Sequence, residues 1–298
     1  MSEKDVKKIV AQEIAPRVSE FRRFRRVFLS RGLVVFGVVI ILIFIIVAIF
    51  APFLAPYDPY MPDLKDRLSQ PSPTHLLGTD SLGRDTLSRI IHGTRTSLMI
   101  GLIVVSVAAI IGMSLGLIAG YLGGWLYTII MRLVDVVMTF PMILLALVIA
   151  AMLGEGIRNV IIALTVGLVP VYARLMCGQV LALKENEYIL AERTIGASNL
   201  RIMISHLIPN ALPTLIVVMT MMLGTTVLAE AGLSFLGIGI EPPTPAWGSM
   251  VNDGREYLLT HPILSFAPGL AIMLLVFAVN MVGDGLRDAL DPRLRGLL

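Results

Sequence analysis

The stretch GLVVFGVVIILIFIIVAIFAPFL, residues 32–54, runs without a single charged side chain. About 20 consecutive apolar residues are enough to cross a bilayer as an α-helix. The stretch is also longer than the apolar region of a secretory signal peptide, which is roughly 7–15 residues. It therefore predicts a retained transmembrane helix, and with it a membrane protein.

The composition extends this conclusion to the whole chain. Of its 298 residues, 56% are hydrophobic and only 15% are charged, which is typical of a polytopic membrane protein. A formal net charge of +3 is too small to indicate nucleic-acid binding. The single cysteine, Cys177, excludes an internal disulfide and a cysteine-based zinc site, and we expect it to be a packing residue.

Further apolar stretches have the length of a membrane span. They are residues 97–121, 126–153, 159–177, 211–233 and 263–282. Each must be helical because a helix satisfies its own backbone hydrogen bonds in lipid, and none alternates with the period of two that barrel strands require. The sequence predicts an all-α polytopic membrane protein with about six transmembrane helices.

Basic residues before the first span predict the orientation. They outnumber the acidic residues there: Lys4, Lys7, Lys8, Arg17, Arg22, Arg23, Arg25, Arg26 and Arg31. Because positive residues near span ends stay in the cytoplasm, we expect the tail 1–31 to be cytoplasmic. An even number of spans then places residues 283–298 and 187–209 in the cytoplasm and residues 55–96 outside, where acidic and basic side chains balance.

Two smaller patterns concern packing and the membrane surface. Apolar residues recur at helical intervals near the end of the tail, which predicts an amphipathic helix on the inner surface with its basic face toward anionic lipid. A purely topogenic role for the tail is the alternative. Gly112, Gly116 and Gly120 repeat every four residues, which favours close helix packing over substrate contact.

Signatures of nucleotide and metal chemistry are missing from the sequence. It contains no G-x-x-x-x-G-K-[ST] phosphate loop, no strand-linked G-x-G-x-x-G and no H-E-x-x-H. The four histidines have no metal-ligand spacing: His75, His92, His206 and His261. We expect a chain that is not an enzyme and binds no cofactor or metal itself, although a partner can still supply nucleotide.

The polar segment 187–209 lies between two apolar stretches and predicts a helical hairpin. Gly196 suits the left-handed residue that ends a helix. Ser198 suits the N-cap of a second helix over residues 199–208, and Pro209 should end that helix. A rigid helix pair here is a place for a partner outside the bilayer to bind, with an ordinary surface hairpin as the alternative.

Several segments resemble one known family. AERTIG (191–196) followed by HLIP (206–209) resembles the EAA loop of ABC-importer permeases. Further matching segments are HLLGTDSLGRD (75–85), GYLGG (120–124), MRLVD (131–135), SFLGIG (234–239), PPTPAWG (242–248) and GDGLRDALDP (283–292). Together they look like the second permease subunit of dipeptide, oligopeptide, nickel or glutathione importers, over nearly the whole chain after the tail.

The resemblance implies a fold, partners and a cargo. The fold is that of a type I ABC-importer permease, with a core over residues 97–282, in a prokaryotic inner membrane. The partners are a homologous second permease subunit, two ABC ATPase subunits that hold ATP and Mg²⁺, and an extracytoplasmic substrate-binding protein, besides membrane lipid. The cargo is a short peptide, with nickel chelates or glutathione as alternatives.

The resemblance also assigns the segment 187–209 to coupling with an ATPase. The loop residues expected to take part are Ala191, Glu192, Arg193, Gly196, Ala197, Ser198, Arg201 and Pro209. Glu192 is the acidic residue that we expect to contact the ATPase.

Charged residues in the spans are candidates for the substrate pathway. Arg132 and Asp135 share a helix face and are expected either to pair or to contact substrate. Glu230, near the outer end of the fifth span, either faces the pathway and meets a peptide amine or extends to the interface. Arg174 is expected to be an interface anchor.

The external segment 241–262 is a candidate docking surface or lid for the binding protein, with a re-entrant or interfacial plug as the alternative. Its prolines stiffen the backbone, and Trp247 suits the membrane–water boundary. The other expected docking residues are Asn252, Asp253 and Arg255. Residues expected to cap the entry to the second span are Thr79, Asp80, Arg84 and Asp85.

Two other classes of protein remain open on these residues. One is an ion-coupled secondary transporter with Glu230, Asp135 and Arg132 as coupling charges, although no inverted repeats are recognisable. The other is a structural or receptor-type membrane subunit that binds a cytoplasmic partner without transport.

Overall fold

The computed structural model describes residues 20–290 of the chain. Within this range the α-helices are α1 (Glu20–Phe28), α2 (Gly32–Leu54), α3 (Thr86–Leu122), α4 (Gly124–Met138), α5 (Met142–Leu153), α6 (Ile157–Leu183), α7 (Glu187–Thr194), α8 (Asn199–Ile202), α9 (Ile208–Phe235), α10 (Trp247–Gly254) and α11 (Ile263–Leu290). A π-helical turn, Met203–Leu207, joins α8 to α9, and 3₁₀ turns lie at Leu64–Asp66 and Arg255–Tyr257.

The membrane-spanning helices follow the predicted apolar stretches with one exception. Among the described residues, α2, α3, α6, the continuous run Asn199–Phe235 and α11 are long and apolar enough to cross a bilayer. The predicted span 126–153 is instead two helices, α4 and α5, bent by 87°. Pro141 lies at the bend, where proline disfavours the helical conformation of the residue before it. The expected six spans are five long single helices plus this bent pair.

α3 packs closely against α6 through the three predicted glycines. A Cβ atom on Gly112 would lie 2.7 Å from Cβ of Tyr172, and one on Gly120 would lie 3.0 Å from Cβ of Val180. Helices in lipid associate through such close van der Waals contact because lipid tails are as apolar as their side chains. The prediction of tight packing is confirmed.

One end of the helix bundle carries a cap segment, residues 55–85. Asp85 is the N-cap of α3: its carboxylate accepts hydrogen bonds from the Ser88 amide (2.8 Å) and hydroxyl (2.7 Å). Asp80 accepts from Nε of Arg84 (2.7 Å) and lies 3.5 Å from Nε of Arg89. The predicted capping of this span is confirmed, and α3 starts eleven residues before the predicted span at residue 97.

The start of α2 and the last turns of α11 meet at the opposite end of the bundle. Arg31 forms an ion pair of 2.8 Å with Asp288 of α11, and a Cβ on Gly285 would lie 2.6 Å from the Val34 side chain. The predicted amphipathic helix of the tail is helical over Glu20–Phe28, and its earlier residues lie outside the described part. α11 is described as far as Leu290, and the predicted tail residues 291–298 lie outside the described part of the chain.

The α3–α6 contact gives a first test of the fold. Gly116→Ala should lower the melting temperature of the detergent-purified protein by several degrees, since its Cβ would lie 2.9 Å from the backbone nitrogen of Cys177 and overpacking costs about 1–3 kcal/mol. Gly178→Ala, on α6 with nothing within 4 Å of its Cβ, is the matched control and should be neutral or slightly stabilising. Equal melting temperatures for the two variants would contradict the packing role.

Candidate functional site

Residues 187–207 form the helical hairpin, made of α7, a short hinge, α8 and the π-helical turn. α7 ends before Gly196, whose φ of +85° is the left-handed conformation that glycine adopts without strain. The Ser198 hydroxyl accepts a hydrogen bond from the Arg201 amide (3.4 Å) and caps α8. The predicted hinge and N-cap are therefore confirmed.

The second helix of the hairpin does not end at Pro209. It passes through the π-helical turn into α9 and continues to Phe235. Pro209 is the second residue of α9 and directly follows the π-helical turn, so its missing N–H falls where the regular α-helical hydrogen-bond pattern is already interrupted. The hairpin is thus rigidly continuous with a membrane-spanning helix.

The inner face of the hairpin is anchored on α3 and α6. Ile189, Ile202 and Leu207 are fully buried in one apolar cluster with Met176 and Val180 of α6. Because all five side chains are removed from solvent, the hairpin cannot shift without opening this cluster.

Polar contacts to α3 add to that anchor. The Tyr121 hydroxyl donates to Oδ1 of Asn199 (2.9 Å), and the Arg193 guanidinium lies 5.2 Å from the centre of the Tyr121 ring. Glu192 is turned inward to His206, with 3.5 Å between Oε1 and Nε2, and only a quarter of its side chain is exposed. The remaining predicted loop residues also lie on the hairpin or just after it: Ala191, Ala197, Arg201 and Pro209.

Several large apolar side chains of the hairpin are exposed to solvent. Ile195, at the tip, is 79% exposed, and Leu200 is 63% exposed. Tyr188, Leu190 and Ile204 extend the same exposed set. Exposed apolar groups clustered on an otherwise polar segment mark an interaction surface. The charged residues of this segment were predicted from the sequence and these apolar ones were not, although Ile195 directly precedes the hinge glycine.

Two charged residues within the spans pair across helices. Asp135 of α4 forms an ion pair with Arg174 of α6, not with Arg132 as predicted, and both side chains are about half exposed. Arg132 lies on α4 almost one turn earlier and is exposed. The predicted pair was wrong because helix packing brings α6 beside α4, and the predicted role of Arg174 as an interface anchor is replaced by this ion pair.

Glu230 is hidden inside the bundle. Its side chain is fully buried and accepts hydrogen bonds from the hydroxyls of Ser97 on α3 (3.3 Å) and Ser234 on α9 (2.8 Å). Ser234 also accepts from the amide of Ile240 (3.4 Å). Both predicted positions of Glu230, facing the pathway and extending to the interface, are wrong because α3 covers it. It ties α3, α9 and the following turn together.

A polar cleft of about 340 Å³ lies at the cap end. Three predicted docking residues, Asn252, Asp253 and Arg255, line it together with Arg84 and Arg89. Burial raises the pKa of the Asp253 carboxyl above its ordinary value, and the positive charges of Arg89 and Arg84 oppose that shift. The structure therefore joins the segment 241–262 to the cap segment.

Trp247 does not belong to this cleft. It is fully buried, its Nε1 donates to the carbonyl of Ile90 (3.1 Å), and its ring centre lies 5.7 Å from that of Phe44. A Cβ on Gly93 would lie 2.8 Å from the indole. Its predicted part in a docking surface is wrong because it is a buried packing residue, and its place at the membrane boundary stays a prediction.

The chain matches two family profiles. Residues 112–296 match the binding-protein-dependent transport system inner membrane component, and residues 19–71 match the N-terminal transmembrane domain of oligopeptide transport permease C. The chain belongs to this family of transport permeases. It is an ABC-importer permease of the peptide family, which confirms the resemblance seen in its motifs and replaces the secondary transporter left open above.

Similar proteins and structures agree with this assignment. The dipeptide transport system permease protein DppC of Alkalihalophilus pseudofirmus is 42% identical over 93% of this chain and 91% of that protein. The glutathione transport system permease protein GsiD of Pectobacterium atrosepticum is 44% identical over 92% of each. An inward-facing structure of the MetNI methionine ABC transporter aligns with a TM-score of 0.55 and 23% identity over 67% of this chain and 96% of that one, which supports the all-α fold.

The role of Glu230 in this permease can be tested by two substitutions. Glu230→Ala should lower the melting temperature of the purified permease by several degrees, because it leaves a cavity and unpaired buried hydroxyls. Each unpaired hydroxyl lowers the free energy of unfolding by about 1–3 kcal/mol. Glu230→Gln is the matched control, since its amide can hydrogen-bond to both serines. Equal destabilisation by both would show that the carboxyl's charge or proton matters instead of its hydrogen bonds.

Proposed function

We propose that this permease forms half of the translocation pathway of an ABC importer for short peptides and is driven by partner ATPases through the helical hairpin. The observation that carries this proposal is the two-faced hairpin, anchored by its buried face and exposing Ile195 and Leu200 on the other. A rigid, apolar projection continuous with α9 can transmit a partner's movement into the membrane, which a flexible loop cannot.

The proposed orientation places the hairpin and both chain ends in the cytoplasm. The basic residues Arg25, Arg26 and Arg31 lie at the end of the bundle opposite the cap segment, and positive residues near span ends favour the cytoplasmic side. The cap segment and its cleft then face the outside. This orientation puts the exposed apolar face where a cytoplasmic ATPase can reach it.

The proposed complex contains one homologous permease subunit, two ATPase subunits and an external substrate-binding protein. ATP and Mg²⁺ are bound by the ATPase subunits, and hydrolysis takes place there, since this sequence has no phosphate-binding loop. The binding protein docks at the cap cleft through Asn252, Asp253 and Arg255. Alternating access follows if the hairpin binds the two states of the ATPase pair differently.

The proposed cargo is a short peptide. Relatives named for dipeptides and for glutathione, itself a tripeptide, support this class. Arg132 and Asp135 are proposed to line the pathway, because charged groups within membrane spans face a water-filled cavity or a protein interior. Glutathione and nickel chelates are the alternative cargoes. ATP-dependent uptake by the reconstituted complex, absent without the ATPase subunits, is the direct test.

Substitution of the hinge glycine tests the coupling. Gly196→Val should reduce ATP-dependent uptake while ATP hydrolysis continues, because a left-handed φ costs a β-branched residue about 1–2 kcal/mol, a population shift of about 5- to 30-fold. No heavy atom lies within 4 Å of the Cβ position, so the effect comes from the backbone alone. Uptake and hydrolysis are measured in the same proteoliposomes.

The matched control for the hinge is Gly196→Asn. Asparagine adopts the left-handed conformation more readily than other residues with a side chain, so it should keep most of the uptake. If valine and asparagine variants transport equally well, the hinge conformation does not control coupling.

The exposed apolar face gives a separate test. Ile195→Asp should weaken association with the ATPase subunits by about tenfold or more, since burying an isoleucine contributes about 1.5–3 kcal/mol. The control is Leu259→Asp, a fully exposed leucine near the cap end, which should co-purify with the ATPases as the unmodified permease does. Undiminished co-purification of the Ile195 variant would place the ATPase contact elsewhere.

A further inference from the structure

The ion pair between Arg174 and Asp135 joins two predicted membrane spans, 159–177 and 126–153. Arg174 is 17 residues after the start of α6 and 9 before its end, which at about 1.5 Å per residue is about 26 Å and about 14 Å along the axis. α6 is thus longer than the roughly 30 Å hydrocarbon core, and if it crosses that core completely, Arg174 falls in the inner half of the core. Nevertheless, 52% of each charged side chain is exposed.

Exposed charges at this depth need a polar surrounding. Charged side chains within membrane spans face a bundle interior or a water-filled cavity because hydrocarbon does not solvate them. α4 offers little cover in this chain, since Val134 is its one buried residue. The open face of the Arg174–Asp135 pair therefore belongs to the pathway proposed above, on which this inference rests.

Arg174 has unused binding capacity toward that open face. A guanidinium carries five N–H donors in a planar fork that matches a carboxylate, and one of its amino nitrogens, Nη2, donates to Asp135. Arg132, exposed on the same helix as Asp135, adds a second positive charge, so the three side chains sum to +1. The surface favours an anion.

We propose that Arg174 binds the terminal carboxylate of the transported peptide, which replaces Asp135 as its partner during passage. Asp135 presents the same functional group as the peptide terminus, so one charge-assisted hydrogen bond is exchanged for another of similar strength. Such an exchange keeps binding weak enough for release, as conduction through a pathway requires. In the empty permease Asp135 holds the guanidinium in place.

The experiment uses the complete complex with its delivery protein in proteoliposomes and compares a dipeptide with its C-terminal amide. Arg174→Gln should reduce ATP-dependent uptake of the free acid by about tenfold or more, as expected for a lost charge-assisted hydrogen bond, and leave uptake of the amide unchanged. For each complex, the uptake rate of the free acid is divided by that of the amide. Dividing this ratio for the variant by the ratio for the unmodified complex removes the delivery protein's own selectivity.

Asp135→Asn separates substrate binding from a structural ion pair. If Arg174 binds substrate, Asp135→Asn should keep or raise uptake of the free acid, because the competing carboxylate is gone, and the double variant should remain as low as Arg174→Gln. Equal losses in both single variants, or recovery in the double variant, would overturn the proposal, since removing both partners relieves a broken structural pair. Arg158→Gln, an exposed arginine at the other end of α6, is the matched control.

Other outcomes are equally decisive. Equal losses of acid and amide uptake in Arg174→Gln would point to a lipid phosphate or a structural partner and overturn the proposal, as would unchanged uptake of the acid. If the unmodified complex shows no ATP-dependent uptake of either compound, the proposed function fails and this inference fails with it. If it transports the dipeptide and Arg174→Gln keeps the acid-to-amide ratio, this inference alone fails.

Discussion

Helices inside a bilayer gain little from the hydrophobic effect when they pack together, because the lipid tails they displace are as apolar as their side chains. In this permease the close contact of α3 and α6, through Gly112, Gly116 and Gly120, takes the place of that driving force. α3 starts at the cap residue Asp85 and ends next to Tyr121, which holds the hairpin. One glycine-lined contact therefore fixes the two ends of the molecule relative to each other.

The charged side chains within the membrane-spanning helices are stabilised in two different ways. Glu230 is enclosed, and serine hydroxyls from two helices satisfy its carboxyl. Arg174 and Asp135 satisfy each other but stay open on one side. The first arrangement stabilises the packing of α3 against α9, whereas the second leaves hydrogen-bonding capacity for something outside this chain. Burial, and not the presence of charge, separates a structural group from a candidate binding group.

The helical hairpin is rigidly packed at its base and exposed at its tip. Its base is a packed apolar cluster on α6, and its second helix continues without a break into α9. Its tip presents Ile195 and Leu200. α9 also carries Glu230, whose hydrogen bond to Ser97 reaches α3 near the cap end. The hairpin is thus connected to the other side of the bundle through continuous packed side chains, which is one physical means by which two distant sites can be coupled.

The sequence alone determined the features that depend on neighbouring residues. Local patterns predicted the number of apolar stretches, the glycine hinge at residue 196, the caps at Asp85 and Ser198, the close packing of the α3 glycines and the family motifs correctly, whereas the bend within 126–153 and the early start of α3 were not predicted. Local patterns suffice there because helix formation and capping involve residues within about four positions of each other.

Tertiary structure decided which side chains meet and which are covered. Asp135 pairs with a residue 39 positions away, Glu230 with Ser97 at 133 positions, and Trp247 with the Ile90 carbonyl at 157. The bend between α4 and α5 and the exposure of Ile195 are decided in the same way. The burial of a side chain and the identity of its partner depend on which other helix packs over it. That helix is distant in the sequence, so neighbouring residues do not reveal it.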